Sequence, residues 1–376
     1  MHQPSGDNIF TDDKGDSWFQ DGPPASTLKA ADLNALTHEL LNVLKAYGIT
    51  PKNSGNDTYD QIAGALLARD QGKTREASLV IASSDSDENA RLTADVVIST
   101  NEDFVPILNA QILALSNSGG GKIFFRKGNY NQHSNADHDV LMQDNVALQG
   151  ETRESVVFMW ESTSPGGTII GTGKSGISIS DLSIKGYASY IFRFENDGCY
   201  CSRVLIDTIV TSIGFVYCNN LYDCIAKNMS VGFKACNNLV NCSCDSIIDF
   251  GFQVCKTLVS CKAENMASTE DGFIECKWLS SCTAISCGNG FTLCVNLSSC
   301  RAEDNEIGFD RCEGVINCYA YKNTVAGYKG CTACMGTYAL SHASALASFI
   351  SCSPNYTIGG SAIANTTLGG CNHYIL

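Results

Sequence analysis

The chain has 376 residues, enough for two or three units and a sizeable core, and carries a formal charge of −14. Glycine is abundant at 34, proline scarce at 7 and charged residues only 17%, a turn-rich globular composition rather than a disordered one. An acidic surface repels phosphate backbones and anionic lipid, and no stretch reaches the ~18 apolar residues that span a bilayer, so neither nucleic-acid binding nor membrane insertion is expected.

The opening residues, MHQPSGDNIF, show no positive segment followed by an apolar one, so no secretory signal is expected, and the chain is either assembled in the cytosol or leaves by a route the sequence does not show. Next come Trp18-Phe19-Gln20-Asp21-Gly22, Leu28, Ala30, Leu33-Asn34, His38-Glu39-Leu40, Val43 and Gly48-Ile49. Leu33, Leu36, Leu40, Val43, Leu44 and Tyr47 recur at steps of three and four, predicting an amphipathic helix stopped by Gly48. Thr58 and Gln61 form a capping-box start for a second short helix ending at Arg69. Two helices this short bury too little to stand alone and should pack on sister copies or a partner. The run over 17–69 resembles the N-terminal segment of phage tail-fibre proteins. That resemblance implies a helical attachment or oligomerisation module over 1–74, engaging a tail or baseplate component; an ordinary helical hairpin is the plain alternative. The polar stretch that follows reads as a linker or neck over 75–94.

From Asp103 to Leu115, Phe104, Ile107, Leu108, Ile112 and Leu115 share one face of a short amphipathic helix. Gly119-Gly120-Gly121 leads into a strand, Lys122-Ile123-Phe124-Phe125. Gly128-Asn129-Tyr130 reads as a turn, and Asn145-Val146-Ala147-Leu148-Gln149-Gly150 as a further strand and turn.

From Gly214 onward the chain repeats itself. Gly-Phe or Gly-Tyr recurs every 18–21 residues, at Gly214, Gly232, Gly251, Gly272, Gly290, Gly308 and Gly327. Four residues after each glycine stands a cysteine: Cys218, Cys236, Cys255, Cys276, Cys294, Cys312 and Cys331. A second follows in six coils, at Cys224, Cys242, Cys261, Cys282, Cys300 and Cys318, with an aliphatic residue between the two and a small one two places on. The motif is G-[FY]-x-x-C-x-x-L-x-x-C-x-A. This period admits leucine-rich repeats or β-helices. One leucine per repeat, and spacers too short for a helix, favour the β-helix, with like residues stacked ~4.8 Å apart. The glycine is expected to supply the tight bend.

All 20 cysteines lie at or after Cys199. A catalytic thiol or a metal site appears once, with its own ligands. These cysteines occupy the same slots in every coil, beside leucine and alanine, so buried free thiols are expected rather than disulfides or metal ligands. Cys287, Cys334, Cys352 and Cys371 fall outside the ladders and receive no assignment. The six histidines show no metal spacing, and no metal or cofactor is expected.

The order helix, GGG-Lys-Ile strand and Asn-Val-Ala-Leu-Gln-Gly strand resembles the entry segment of pectate-lyase-like tailspikes and polysaccharide-degrading β-helices, where a helix caps the open end of the core. Over 95–340 it implies an all-β solenoid, a single-stranded right-handed parallel β-helix behind a small helical N-terminal module. The β-helix is assigned to 95–339 and a C-terminal cap or tip to 340–376. The two resemblances together imply a tail-fibre or tailspike subunit on a virion tail, a homotrimer binding a cell-surface polysaccharide or other glycan. Two rivals stand beside this: a polysaccharide depolymerase, hydrolase rather than lyase, and a bacterial cell-surface adhesin.

Three features are candidates for a site. The first is a stripe after the first cysteine of successive coils: Asn219-Asn220, Asn237-Asn238, Lys256-Thr257, Lys277-Trp278 and Val295-Asn296. Tryptophan covers a pyranose face and amides satisfy hydroxyls. The plain alternative is solvated turn residues. The second is a group of acids before the glycine, Asp249, Glu270 and Asp271, with Glu306 further on. Asp249 and Glu270 on neighbouring coils would approach the ~5–5.5 Å carboxylate separation of retaining glycosidases; stacked surface acids are the alternative. The third is the row Asp245, Glu264 and Glu303, which shows no clear arginine partner in the sequence.

Overall fold

The computed structural model describes residues 78–340 apart from 134–138, 161–168, 187–189, 196–197, 209–211 and 268, together with the short strands Ile9–Thr11, Ser17–Phe19, Phe349–Ile350 and Ser353–Tyr356. The chain divides into two compact units, Met1–Glu76 and Ala77–Leu376. In the first, β1 (Ile9–Thr11) and β2 (Ser17–Phe19) pair antiparallel, with Phe10 opposite Trp18. Strands this short give no readable alternation, and the sequence reading placed none there. The helices expected over 33–47 and 58–69 lie outside the described residues.

The second unit is a parallel β-solenoid of three sheets, with eleven, fourteen and eleven strands. It begins earlier than the sequence reading allowed. Within the span expected to be a linker lie β3 (Leu79–Ser83) and helix α1 (Glu88–Leu92), followed by β4 (Val96–Ile98). β3 pairs in parallel with β4 and with β5 (Gly121–Phe125), inside the fourteen-stranded sheet. Its apolar run Leu79-Val80-Ile81-Ala82 is masked in the sequence by polar flanks, yet Ile81 and Ala82 are fully buried. Helix α2 (Phe104–Asn117) packs over the first coil, burying Phe104, Val105, Leu108 and Ile112, with Ile107 and Leu115 partly covered. Phe104 meets Phe158 at 4.9 Å and Trp160 at 5.5 Å between ring centroids. The residues Gly128-Asn129-Tyr130, expected as a turn, form the strand β6 (Gly128–Gln132), in which Tyr130 is buried edge-on to Phe125.

In the repeat region each coil contributes one short strand to each sheet. The first repeat runs Ile213–Val216, Asn220–Tyr222 and Ile225–Lys227, and each pairs with its counterpart one coil on. The sheets are named here for their inward residue: the phenylalanine, leucine and alanine faces. The register is in step, Phe215 opposite Phe233, Leu221 opposite Leu239 and Ala226 opposite Cys244. The phenylalanine rings stack nearly parallel, for example 4.8 Å and 4° between Phe215 and Phe233 and 4.6 Å and 4° between Phe252 and Phe273. The stack continues to Tyr328, 4.8 Å from Phe309. The ladders continue past the recognisable motif, Tyr328 pairing with Phe349 and Thr332 with Ser353, into the segment expected to be a separate cap or tip.

The bends are not made by the repeating glycine. They fall on left-handed residues at three corners: Tyr217, Ala235, Val254, Glu275, Leu293 and Arg311 before the first cysteine, Asp223, Asn241, Ser260, Ser281, Ser299 and Asn317 before the second, and Asn228, Ser246, Asn265, Ser286, Asp304 and Lys322 after the alanine-face strand, with φ of 50° to 58°. Their amides stay in the ladder, Ala235 N–H donating to Gln253 O at 2.8 Å and Asn241 N–H to Val259 O at 3.0 Å. The glycine serves contact between coils instead. A Cβ on Gly251 would stand 2.6 Å from Gly272 O, and one on Gly290 2.7 Å from Gly308 O, closer than any real Cβ approaches.

Eighteen cysteines are described, all free and buried. Each ladder thiol lies against the carbonyls at its bend, Cys236 Sγ being 3.5 Å from both Phe215 O and Lys234 O. The cysteine is thus a small apolar filler that is also a weak donor. Burial pushes the Cys236 and Cys276 thiols well up. Cys287 occupies a third corner slot, between coils that place Met266 before it and Asn305 after it, and burial pushes its thiol up to about 12. Asn305 and Asn323 begin a short internal amide ladder there: Asn305 Oδ1 accepts from Cys287 N–H at 2.9 Å and Asn323 Oδ1 from Asn305 N–H at 3.0 Å. Cys334 is buried in the strand Thr332–Met335 of the leucine-face sheet. Cys352 and Cys371 lie outside the described residues.

Candidate functional site

The outer side of the leucine face carries the stripe. Because the inward leucines are in register, the residue before each one is too: Asn220 pairs with Asn238, Asn238 with Thr257 and Thr257 with Trp278. Four coils therefore present amide, amide, hydroxyl and indole in a straight line at the ~4.8 Å strand spacing. Trp278 is 55% exposed, the most open aromatic side chain among the described residues. On the next coil Asn296 is exposed and turned by a left-handed backbone, φ 60°. Beside the line stand Lys256 and Lys277, both exposed and without an ion-pair partner among the described residues.

The upstream end differs from expectation. Asn219 is buried, and its Oδ1 accepts from Asn237 Nδ2, so that pair of amides is turned to each other rather than outward. The corner crowds them, since each follows directly on a buried ladder cysteine. Asn238 Nδ2 donates to Asn220 Oδ1 at 3.1 Å, which orders the outward amides and leaves Asn238 exposed.

The carboxylates do not converge as a group. Phe250 pairs with Asp271, so Asp249 and Glu270 occupy like positions on neighbouring coils. Asp249 accepts from the Ser230 hydroxyl, and Glu270 Oε1 from Thr269 Oγ1 at 2.9 Å. The turn before Asp271 folds back, Glu270 N–H donating to Ala267 O at 2.9 Å, and lies against Gly288, where a Cβ would stand 2.6 Å from Glu270 N. Asp271 is set apart, 8% exposed on the phenylalanine-face strand Asp271–Ile274, with Asn289 Nδ2 donating to its Oδ1 at 2.8 Å. Burial raises its pKa, the nearby Glu270 charge adds to this, and the Asn289 hydrogen bond opposes it. Asn289 was not singled out from the sequence; its position at the same offset from its glycine as Asp271 was the available signal.

The row on the alanine face has the cations that the sequence did not reveal. Lys227 lies 3.4 Å from Asp245, Lys262 2.5 Å from Glu264 and Arg301 2.6 Å from Glu303. Each partner is two residues away on the same strand or one coil off, on the same outward side, so these acids are neutralised pairs. Among the described residues no group of three or more His, Cys, Asp or Glu is arranged to hold a metal, and no helix is long and apolar enough to cross a membrane.

No protein-family model and no curated protein matches the chain. Among solved structures, it is similar to the ORF18 protein of a Geobacillus virus, at 12% identity and a TM-score of 0.39 over 83% of this chain and 66% of that one. It is similar to the A-module of a mannuronan C-5 epimerase from Azotobacter vinelandii, at 14% identity and a TM-score of 0.32 over 68% of this chain and 85% of that one. A third is a tailspike of an Acinetobacter baumannii bacteriophage, described as a capsular polysaccharide depolymerase, at 12% identity and a TM-score of 0.33 over 77% of this chain and 64% of that one. Likeness at this level assigns no activity to this chain.

Proposed function

We propose that the solenoid is a binding surface for an extended cell-surface glycan, laid along the outer side of the leucine face, in a tail-fibre or tailspike type of receptor-binding protein. The observation that carries this is the in-register row Asn220, Asn238, Thr257 and Trp278, ending on an indole that is 55% exposed. A repeating strand spacing suits a repeating ligand, and an indole face with flanking amides and a hydroxyl is chemistry that sugars accept. The wider setting belongs to the same proposal: a homotrimer on a virion tail, attached through residues 1–74, with a cell-surface adhesin as the variant setting. Trp278→Ala should abolish adsorption to target cells at an unchanged melting temperature; full adsorption by that variant removes the leucine face from consideration.

A depolymerase is the second reading, favoured by one observation. Asp271 is a buried carboxyl with a raised pKa beside Glu270, the environment that keeps a general acid protonated. Its test is release of reducing ends from capsular polysaccharide by wild type, and by Asp271→Asn and Glu270→Gln. No release by wild type, or equal release by all three, ends that reading.

A further inference from the structure

We propose that the glycan taken by this strip is polyanionic, bearing carboxylates on successive sugar units and lying along the solenoid axis. This rests on the reading of the leucine face given above and adds the ligand's charge and direction.

The chain carries −14 overall, so two cations in one slot on neighbouring coils, beside an exposed indole, stand out. On the alanine face the cations beside acids are matched, Lys262 with Glu264 at 2.5 Å and Arg301 with Glu303 at 2.6 Å. Lys256 and Lys277 are exposed and unmatched among the described residues. They occupy the same slot on neighbouring coils, the Lys256 N–H donating to Cys236 O at 2.9 Å and the Lys277 N–H to Cys255 O at 3.1 Å. Their separation along the axis is therefore one strand spacing, ~4.8 Å, close to the rise of one sugar unit in an extended glycan. Trp278 follows Lys277 directly, so one ring can lie on the indole while carboxylates of that unit and the next meet the two ammonium groups. A neutral glycan could accept hydrogen bonds from the two ammonium groups but would leave their charge uncompensated. The nearest acid on this edge is Glu275, exposed at the bend before Cys276, and Glu313 takes the lysine slot two coils on, which ends the cationic stretch. A nucleic acid could also bring negative charge, but the acidic surface opposes a continuous phosphate backbone.

The experiment is calorimetric titration of the full chain with hexameric oligogalacturonate, a neutral cello-hexaose and a single-stranded oligonucleotide, in wild type, Lys256→Gln/Lys277→Gln and Trp278→Ala. The expected result is oligogalacturonate binding at least about tenfold tighter than the neutral sugar and weakening with salt. The double glutamine variant should lose about tenfold in affinity for oligogalacturonate, at an unchanged melting curve. Equal affinity for both sugars, no binding of oligogalacturonate, unchanged affinity in the double variant or equally tight oligonucleotide binding overturns the proposal. Trp278→Ala separates the two readings. Loss of both sugars in that variant upholds the surface even where the charge proposal falls, whereas binding of both at wild-type strength strikes the surface itself.

Discussion

The bend before the first cysteine of each coil is made by residues that would not be chosen for the task. A left-handed backbone costs an L-residue roughly 1–2 kcal/mol, less for asparagine, whose side chain tolerates it. Val254 holds φ at 57° with a β-branched side chain that is 44% exposed, so little burial offsets the cost. Val254→Asn is expected to stabilise the fold by about 1 kcal/mol, read as a higher melting temperature. The cysteine after each bend is buried, with its thiol against backbone carbonyls. Burial shields these thiols from reagent, and at Cys236 and Cys276 it disfavours thiolate, the reactive form. Native protein at about pH 8 should therefore react slowly with an aromatic disulfide reagent, and denatured protein should show all its thiols at once; rapid labelling of the native form would mean that the ladders are open. These bends were not legible in the sequence. Tyrosine, alanine, valine, glutamate, leucine and arginine all occupy the same bend, and the third corner bends alike before Met229, Ile247 and Met266, so the continuing ladder rather than any side chain imposes it.

At the scale of the strand, in-register stacking explains what was readable and what was not. An inward slot is surrounded by its own counterparts, so the same side chain is repeated, and phenylalanine, leucine, alanine and cysteine announce the coil in plain sequence. The outward slots meet solvent and carry no such constraint. The line from Asn220 to Trp278 was legible only by counting from the leucines, and the turning of Asn219 and Asn237 toward each other was not. The first strand, Leu79–Ser83, precedes the motif and shares none of its residues, which is why its span reads as a linker. Asp271 gives the phenylalanine-face strand a pH dependence. Its pKa is raised in the folded chain, so the folded state binds more proton than the unfolded state in the range between the two values. Stability from this group is present at low pH and is lost as pH rises above about 4 through the raised value. Asp271→Asn should thus raise the melting temperature at about pH 7 and change it little at about pH 4, with Asn289 still able to donate to the amide oxygen. An equal shift at both values would assign the effect to packing rather than to charge.

Over the whole molecule, the unit beginning at Ala77 contains its own first strand, its capping helices and its continuous core. A chain begun at Ala77 should melt cooperatively near the temperature of the solenoid in the full chain. One begun at residue 90 lacks β3, leaves β5 with an open edge and should melt lower or aggregate. Equal melting of the two would mean that β3 is dispensable. In the function proposed above, this regular core holds an outward line of binding groups at strand spacing. The most direct measurement is a microbial glycan array probed in parallel with the full chain and with its Trp278→Ala variant at matched fold stability. A set of extended glycans should be bound by the wild type and lost in the variant. Identical binding patterns for the two, or no glycan bound by the wild type, would contradict it.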